Sequence, residues 1–129
     1  MKKDRIVIPP VTLLWSDWVP WNDMKIDAQF SGGIKVPNEP SVYEVKYKHE
    51  DKKRLTIGKV SNLRKRIKQG LIKGKFPRST GKRIRVKVDI SKLVVRWTVT
   101  DRPAAVEEDL HRRYIKRNLV NYQNTLNIR

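Results

Sequence analysis

The apolar residues of this chain follow two different spacings, and the change of spacing limits the folds open to it. From 41 to 48 the residues alternate between two faces, and a period of two is typical of a β-strand. A polar turn at 49–52 separates this strand from a second strand-like run, Arg-Leu-Thr-Ile, at 54–57. The two runs therefore predict a β-hairpin.

Beyond the hairpin the apolar spacing changes from two to four. Leu63, Ile67 and Leu71 recur at every fourth position, which places them on one face of a helix. Ser61 is a residue type that commonly caps helix N-termini. The sequence predicts a helix that begins at Asn62, is capped by Ser61, and buries this stripe.

The second half of the chain predicts two more strands and a last helix. Alternation over 83–88 indicates a half-buried strand with a basic outer face, and the more apolar run 93–99 indicates a more central strand. Asp101-Arg102-Pro103 opens a helix, since proline is tolerated in the first turn. Val106, Leu110 and Tyr114 give this helix its apolar stripe. The predicted order is β-β-α-β-β-α, an α/β (α+β) fold with a small three- to four-stranded, mainly antiparallel sheet flanked by helices.

The N-terminal third differs in composition from the rest. Trp15, Trp18 and Trp21 recur every third residue among several prolines, so we divide the chain into an arm (1–40) and a domain (41–129). One interpretation is that the indoles cover a face of the domain. The other is that they form a stacking surface for unpaired bases.

Charge indicates the class of partner. The 30 Lys and Arg residues exceed the 13 Asp and Glu residues by 17, and no acidic residue occurs between Asp51 and Asp89. Such an excess repels itself unless a polyanion relieves it, and nucleic acid is the usual polyanion. We therefore expect a nucleic-acid partner.

Several other classes are disfavoured. No apolar run approaches the ~20 residues of a membrane span, and the basic segments lack the apolar arrangement of a membrane-surface helix. The chain has no cysteine and two histidines, which excludes disulfides and leaves few ligands for zinc. We expect no membrane partner and a cytoplasmic, intracellular location.

Five short segments occur in order along 41–128. They are Ser-Val-Tyr at 41–43, Thr-Ile-Gly-Lys at 56–59, Asn-Leu-Arg-Lys-Arg at 62–66, and a glutamate seven residues before a tyrosine within 106–114, followed by Leu-Asn-Ile at 126–128. Together they resemble the GIY-YIG endonuclease family. That resemblance implies a nuclease-like fold and hydrolysis of phosphodiester bonds in DNA.

The resemblance also implies roles for individual residues. Tyr43 would be the base that activates water, Arg66 would bind the scissile phosphate, and Glu107 would hold one divalent ion, Mg²⁺ or Mn²⁺. Asn127 corresponds to the asparagine that closes the family's domain. Thr56 stands where the family has its second tyrosine; its hydroxyl can orient water but cannot replace a base, so proton abstraction falls to Tyr43. Ser41 replaces the first glycine of the pattern.

Helix spacing selects between two adjacent glutamates. Glu107 shares a face with Leu110 and Tyr114, which is expected to point toward the sheet, whereas Glu108 lies ~100° further round and is expected to be solvated. For Glu107 a salt bridge to Arg66 or Arg96 is the alternative to metal binding.

The remaining basic residues are candidates for DNA contact, with the loop 73–82 and the outer face of 83–87 following the phosphate backbone. These candidates are Lys59, Arg64, Lys65, Lys68, Lys73, Lys75, Arg78, Lys82, Arg83 and Arg85. Sequence specificity would come from the arm, the basic loop, a homodimer or a partner protein.

The sequence leaves two functions open. One is a Mg²⁺-dependent DNA endonuclease of restriction-like, phage or mobile-element type. The other is a catalytically inactive basic nucleic-acid-binding protein of the same fold, whose charge serves phosphate contacts alone.

Overall fold

A computed structural model describes residues 12–24, 30–31, 34–72 and 80–116 of the chain. The strands are β1 (Val19–Pro20), β2 (Phe30–Ser31), β3 (Ile34–Lys35), β4 (Ser41–Tyr47), β5 (Lys53–Arg54), β6 (Thr56–Val60), β7 (Leu93–Val99) and β8 (Ile115–Lys116). The helices are α1 (Leu63–Lys65), which runs directly into a π-helical segment (Arg66–Ile72), then α2 (Thr80–Lys87) and α3 (Pro103–Arg113), with 3₁₀ turns at Trp21–Asp23 and Ile90–Lys92.

Four strands form the main sheet in the order β1-β7-β4-β6, and every neighbouring pair is antiparallel. This confirms the expected mixed fold with a small antiparallel sheet. The predicted hairpin is formed by β4 and β6, but its second strand is Thr56–Val60 rather than 54–57. The apolar strand β7 is central as predicted. The short strands pair separately, β2 with β3 antiparallel and β5 with β8 parallel.

Both faces of β4 are buried, which the alternating pattern does not by itself require. On one face Tyr43 and Val45 pack with Trp97 and with the apolar stripe of the first helix. On the other face Val42 packs with Ile57 of β6 and with α3. Packing on both faces explains why β4 carries β-branched and aromatic residues at most positions, and it fixes the strand that bears Tyr43.

The predicted stripe Leu63, Ile67 and Leu71 is confirmed, since all three side chains are buried. The predicted cap is wrong by one residue. The side chain of Asn62, rather than Ser61, accepts a hydrogen bond from the backbone N–H of Lys65 at 3.1 Å. Asparagine serves this role as well as serine does.

The predicted strand over 83–88 is wrong, because α2 occupies Thr80–Lys87. Gly81, Ile84 and Val88 are buried at spacings of three and four, while Val86 is exposed. The alternation of Ile84, Val86 and Val88 therefore coincides with a helical spacing, and packing against the π-helical segment selects the helix. The observed order in the domain is β-β-α-α-β-α.

The last helix is confirmed. Pro103 is at its first position, Val106 and Leu110 are buried, and Tyr114 is its half-buried C-cap. Within the described part of the chain, no helix is both long and apolar enough to cross a membrane.

The described arm residues lie against the sheet. β1 pairs with β7, and Trp15 forms an isolated bridge with Thr98. Trp21 is buried in the core, and Trp15 packs against the cluster beneath α3. These contacts agree with the interpretation in which the indoles cover a face of the domain.

Candidate active site

Tyr43 lies across the neighbouring strand β6. It is opposite Gly58 in the β4–β6 register, and it is only 4% exposed. A Cβ atom placed on Gly58 would lie 2.5 Å from Cε1 and 2.6 Å from the hydroxyl of Tyr43. A glycine at 58 therefore lets the phenol reach over β6 toward the open edge of the sheet.

Three of the four residues predicted to act with Tyr43 influence the pKa of its phenol, and the fourth, Asn127, lies outside the described residues. Thr56 lies on the same face two pairs along the register, and its hydroxyl lowers the pKa of the phenol. The Arg66 guanidinium and the Glu107 carboxylate both act electrostatically on it. These groups come from two strands, the π-helical segment and α3, so only the tertiary fold brings them together.

Arg66 is the first residue of the π-helical segment. Its side chain is exposed, whereas its neighbour Ile67 and the preceding Leu63 are buried. The buried stripe therefore anchors the helical segment and leaves the guanidinium in solvent beside Tyr43. An arginine in this position presents a planar fork of donors suited to a phosphate.

Glu107 reaches the site from α3 on the opposite side of the sheet edge. Its Oε2 accepts a hydrogen bond of 2.7 Å from the backbone N–H of Lys59 in β6, and β6 is the end strand of the sheet. His111, one turn further along α3, has Nε2 at 3.3 Å from the carbonyl oxygen of Ile57. Two side chains of α3 thus bind the outward backbone groups of the edge strand.

The choice of Glu107 over Glu108 agrees with these positions. Glu107 is half-buried, whereas the exposed Glu108 pairs with Arg112 at 2.6 Å within α3. The alternative salt bridge from Glu107 to Arg96 is not formed, because Arg96 binds Glu44 at 2.8 Å.

Burial raises the pKa of the Tyr43 phenol above its ordinary value of 10.0, because the phenolate would be poorly solvated. The positive charge of Arg66 opposes this shift, the carboxylate of Glu107 adds to it, and the hydrogen bond with Thr56 lowers the pKa. Burial outweighs the cation, so the isolated protein holds Tyr43 as a neutral phenol at pH 7.

The site suits a hard divalent cation with one protein ligand. Only Oε2 of Glu107 is hydrogen-bonded in the described structure, which leaves Oε1 available to a cation. The described residues contain no cluster of three or more acidic, histidine or cysteine side chains that could hold a metal ion. Mg²⁺ characteristically uses one or two carboxylates and completes its shell with water and substrate phosphate oxygens, so Glu107 fits it.

A second charged cluster was missed from the sequence. Glu44 is 0% exposed, and its Oε1 accepts hydrogen bonds from Arg54 at 3.1 Å and Arg96 at 2.8 Å. Trp18 lies against both guanidinium groups, at 5.3 Å and 4.5 Å from its ring centroid. No local pattern indicated this cluster, because its charged members come from β4, β5 and β7 and are covered by Trp18 of the arm and by Tyr114 at the end of α3.

The predicted DNA contacts are only partly described. Lys59, Lys65 and Lys82 are exposed, and Lys68 and Arg83 are half-buried. Lys73, Lys75, Arg78 and Asn127 lie outside the described residues.

Two of the predicted contacts, Arg64 and Arg85, are partly engaged within the protein. Nε of Arg64 donates to the carbonyl oxygen of Val36 at 3.0 Å. Arg85 donates to the carbonyl oxygens of Gly81 and Ile72.

Comparison with protein-family models, with curated proteins and with solved structures finds no match to this chain.

Proposed function

We propose that this protein is a Mg²⁺-dependent (or Mn²⁺-dependent) endonuclease that hydrolyses phosphodiester bonds in DNA. The observation that carries the proposal is that the charges of Arg66 and Glu107 and the hydroxyl of Thr56 all act on the phenol of Tyr43. These residues are far apart in the sequence and follow the order of the GIY-YIG pattern that the chain resembles, with Thr56 in place of the family's second tyrosine. A restriction-like, phage or mobile-element role is the setting that we favour, and DNA rather than RNA rests on the family resemblance.

Hydrolysis of a phosphodiester requires a group that takes a proton from water and a cation that stabilises charge on the phosphoryl oxygens. Tyr43 takes the proton in our proposal, and Thr56 orients the water through its hydroxyl. Arg66 binds the phosphate, and because its side chain is already exposed it needs no rearrangement to do so. A divalent ion on Glu107 would supply Lewis-acid stabilisation of the phosphate and of the leaving oxygen.

The raised pKa of Tyr43 sets the conditions under which this base acts. The carboxylate of Glu107 is one cause of the raised pKa. A divalent cation held by Glu107 would more than offset that charge and would act in the same direction as Arg66, so the phenol would lose its proton more readily. We therefore expect the nicking rate to increase with pH from 7 to 9.

The basic surface supports DNA as the partner. α2 contains four Lys or Arg residues among eight and packs against the π-helical segment that begins with Arg66. Cations on adjoining elements can hold the phosphate backbone beside the candidate site, and such contacts position a nucleic acid without reading its sequence.

A catalytically inactive DNA-binding protein of the same fold is the second candidate. The observation that favours it is the burial of Tyr43, which keeps the phenol neutral. In that case the charge excess would serve only phosphate contacts, and binding would weaken steeply with added salt.

Nicking of supercoiled plasmid in Mg²⁺, with a chelator control, tests the proposal directly. We expect Arg66→Ala and Glu107→Gln to abolish nicking while both proteins remain folded and bind DNA. Glu108→Gln is the matched control, because it removes a neighbouring exposed carboxylate that pairs only along α3. Glu108→Gln should nick at the wild-type rate.

Two outcomes would decide against the endonuclease. Plasmid that stays supercoiled across a range of salt, divalent ion and pH would favour the binding-only candidate. Near-complete nicking by Arg66→Ala or Glu107→Gln would show that the hydrolytic site lies elsewhere.

A further inference from the structure

Two side chains of α3 bind the outer edge of β6, and their spacing matches that of the strand. Glu107 binds the backbone N–H of Lys59, and His111 binds the carbonyl oxygen of Ile57. Four residues of a helix rise ~6 Å, and two residues of a strand rise ~6.6 Å. Successive turns of α3 therefore meet successive outward backbone groups of β6, and the two side chains lie next to each other along the edge.

Each of these side chains uses one polar atom for the backbone contact and keeps a second. Oε2 of Glu107 accepts the hydrogen bond from Lys59 at 2.7 Å, and Oε1 has no hydrogen bond within the described part of the chain. Nε2 of His111 lies 3.3 Å from the carbonyl oxygen of Ile57. Because a carbonyl oxygen only accepts, Nε2 carries the proton of this bond. In the neutral imidazole Nδ1 then has a lone pair and no proton.

Oε1 of Glu107 and Nδ1 of His111 have the arrangement of two metal ligands on one helix. Side chains four residues apart lie on the same helix face with their Cβ atoms ~6 Å apart, and ligands at this spacing hold Zn²⁺ in zinc proteases. A metal-binding histidine almost always donates its other ring N–H to a carbonyl or carboxylate, which fixes the ring and its tautomer. The contact of His111 with Ile57 supplies that support.

This pair of ligands is open to solvent but lies among cations. His111 is exposed and Glu107 is half-buried, so an ion can reach both ligand atoms without a change of fold. Arg66 acts on the same phenol as Glu107, and Lys59 is exposed in the strand that Glu107 binds. Positive charges near the pair oppose any bound cation. The pair therefore favours an ion that gains from an imidazole nitrogen over an ion that relies on charge alone.

We propose that Oε1 of Glu107 and Nδ1 of His111 together bind one divalent ion of the later first-row transition metals, such as Ni²⁺ or Zn²⁺, with water completing its shell. Imidazole suits these ions, whereas Mg²⁺ takes oxygen ligands and would use Glu107 alone. A transition-metal ion on the pair occupies the carboxylate oxygen that Mg²⁺ needs, so it competes with Mg²⁺. This effect on cleavage rests on the proposed function; the binding of the ion does not.

Calorimetric titration of the untagged protein with Ni²⁺, in the absence of DNA, tests the pair. His111→Gln is the sharpest change, because the glutamine amide still donates a hydrogen bond to Ile57 but supplies no imidazole nitrogen. We expect His111→Gln and Glu107→Gln each to weaken Ni²⁺ binding by about tenfold or more, since removal of a group that merely orients a ligand already costs that much. Ni²⁺ should raise the unfolding temperature of the wild type and of neither variant.

The chain offers a matched control for each change. His49→Gln removes the other of the two histidines, which is exposed in the turn after β4. Glu108→Gln removes the adjacent carboxylate, which pairs with Arg112 along α3. Both controls should bind Ni²⁺ with the wild-type affinity. Without metal, His111→Gln should unfold at nearly the wild-type temperature, because the contact with the edge strand is retained.

Three results would overturn the inference. The first is a wild-type protein that shows no saturable binding of Ni²⁺, and the second is wild-type affinity in His111→Gln. The third is an equal loss in His49→Gln or Glu108→Gln, which would place the ion on other ligands. Plasmid nicking in Mg²⁺ is independent of this titration. Failed nicking with intact Ni²⁺ binding would remove only the endonuclease, and nicking without Ni²⁺ binding would remove only the second metal ligand.

Discussion

Gly58→Ala tests whether the position of Tyr43 matters for activity. The added methyl carbon would lie 2.5–2.6 Å from Cε1, Cζ and the hydroxyl oxygen of the phenol. An ordinary carbon contact is ~3.5 Å or longer. The buried ring must therefore move by about 1 Å, away from the edge of the sheet where Arg66 and Glu107 act on it.

The two consequences of that movement have different sizes. Overpacking of a buried site costs about 1–3 kcal/mol of folding stability. Displacement of a reacting group by ~1 Å reduces rate by about 100-fold. We therefore expect Gly58→Ala to remain folded, to unfold at a lower temperature, and to lose about 99% of its nicking rate.

Plasmid nicking and thermal unfolding of the same preparations measure both effects. A double variant isolates the contact: in the Tyr43→Ala background, Gly58→Ala should cost almost no additional stability because the ring is absent. Full nicking activity in Gly58→Ala would refute the proposed role of Tyr43. An equal loss of stability in both backgrounds would refute the contact itself.

Three further predictions concern stability. Glu44→Gln should destabilise the fold by about 3–5 kcal/mol, measured by urea unfolding, because it leaves two arginines without their buried counter-charge; a wild-type unfolding curve would contradict this. The pKa of Tyr43 is raised in the folded state, so above about pH 10 the unfolded chain releases a proton that the folded chain retains, and stability falls as pH rises. Tyr43→Phe should remove part of that dependence between pH 9 and 11, and an identical pH profile in both proteins would exclude it. Asn62→Ala should cost about 1 kcal/mol through loss of the helix cap, whereas Ser61→Ala should be neutral in the same thermal unfolding assay; the reverse order would contradict the observed cap.

Local sequence patterns predicted the secondary structure correctly where the apolar residues fit only one periodicity. The alternation that predicted β4 and the four-residue spacing of Leu63, Ile67 and Leu71 both describe the structure. Pro103 marked the start of α3 correctly because a first-turn proline loses no helical hydrogen bond. In each case the local preference and the packing favour the same conformation.

The segment 83–88 shows where local pattern is insufficient. Its apolar residues alternate, yet Ile84 and Val88 are also four apart, which suits a helix equally well. Burial of Gly81 beside them, against the preceding helical segment, selects the helix. A spacing that satisfies both periods is decided by the surface on which the segment packs.

The burial of the charged side chain of Glu44 likewise could not be predicted from the local sequence pattern. Alternation assigns it to a polar face of β4, and nothing local indicates that Trp18 of the arm and the C-terminal end of α3 cover that face. Its partners Arg54 and Arg96 are 10 and 52 residues away. Pairing over such separations is a property of the sheet register.

The candidate site likewise combines features that the sequence predicts with features that depend on the tertiary structure. The sequence by itself determined the strongly positive charge, the strands and helices with a single periodicity, and the greater burial of Glu107 than of Glu108, because each depends on composition or on residues within a few turns. Only the tertiary structure decided that Tyr43 passes over Gly58 and that Arg66 and Glu107 act on it from different elements, because antiparallel register and helix packing set the distances between residues remote in the chain.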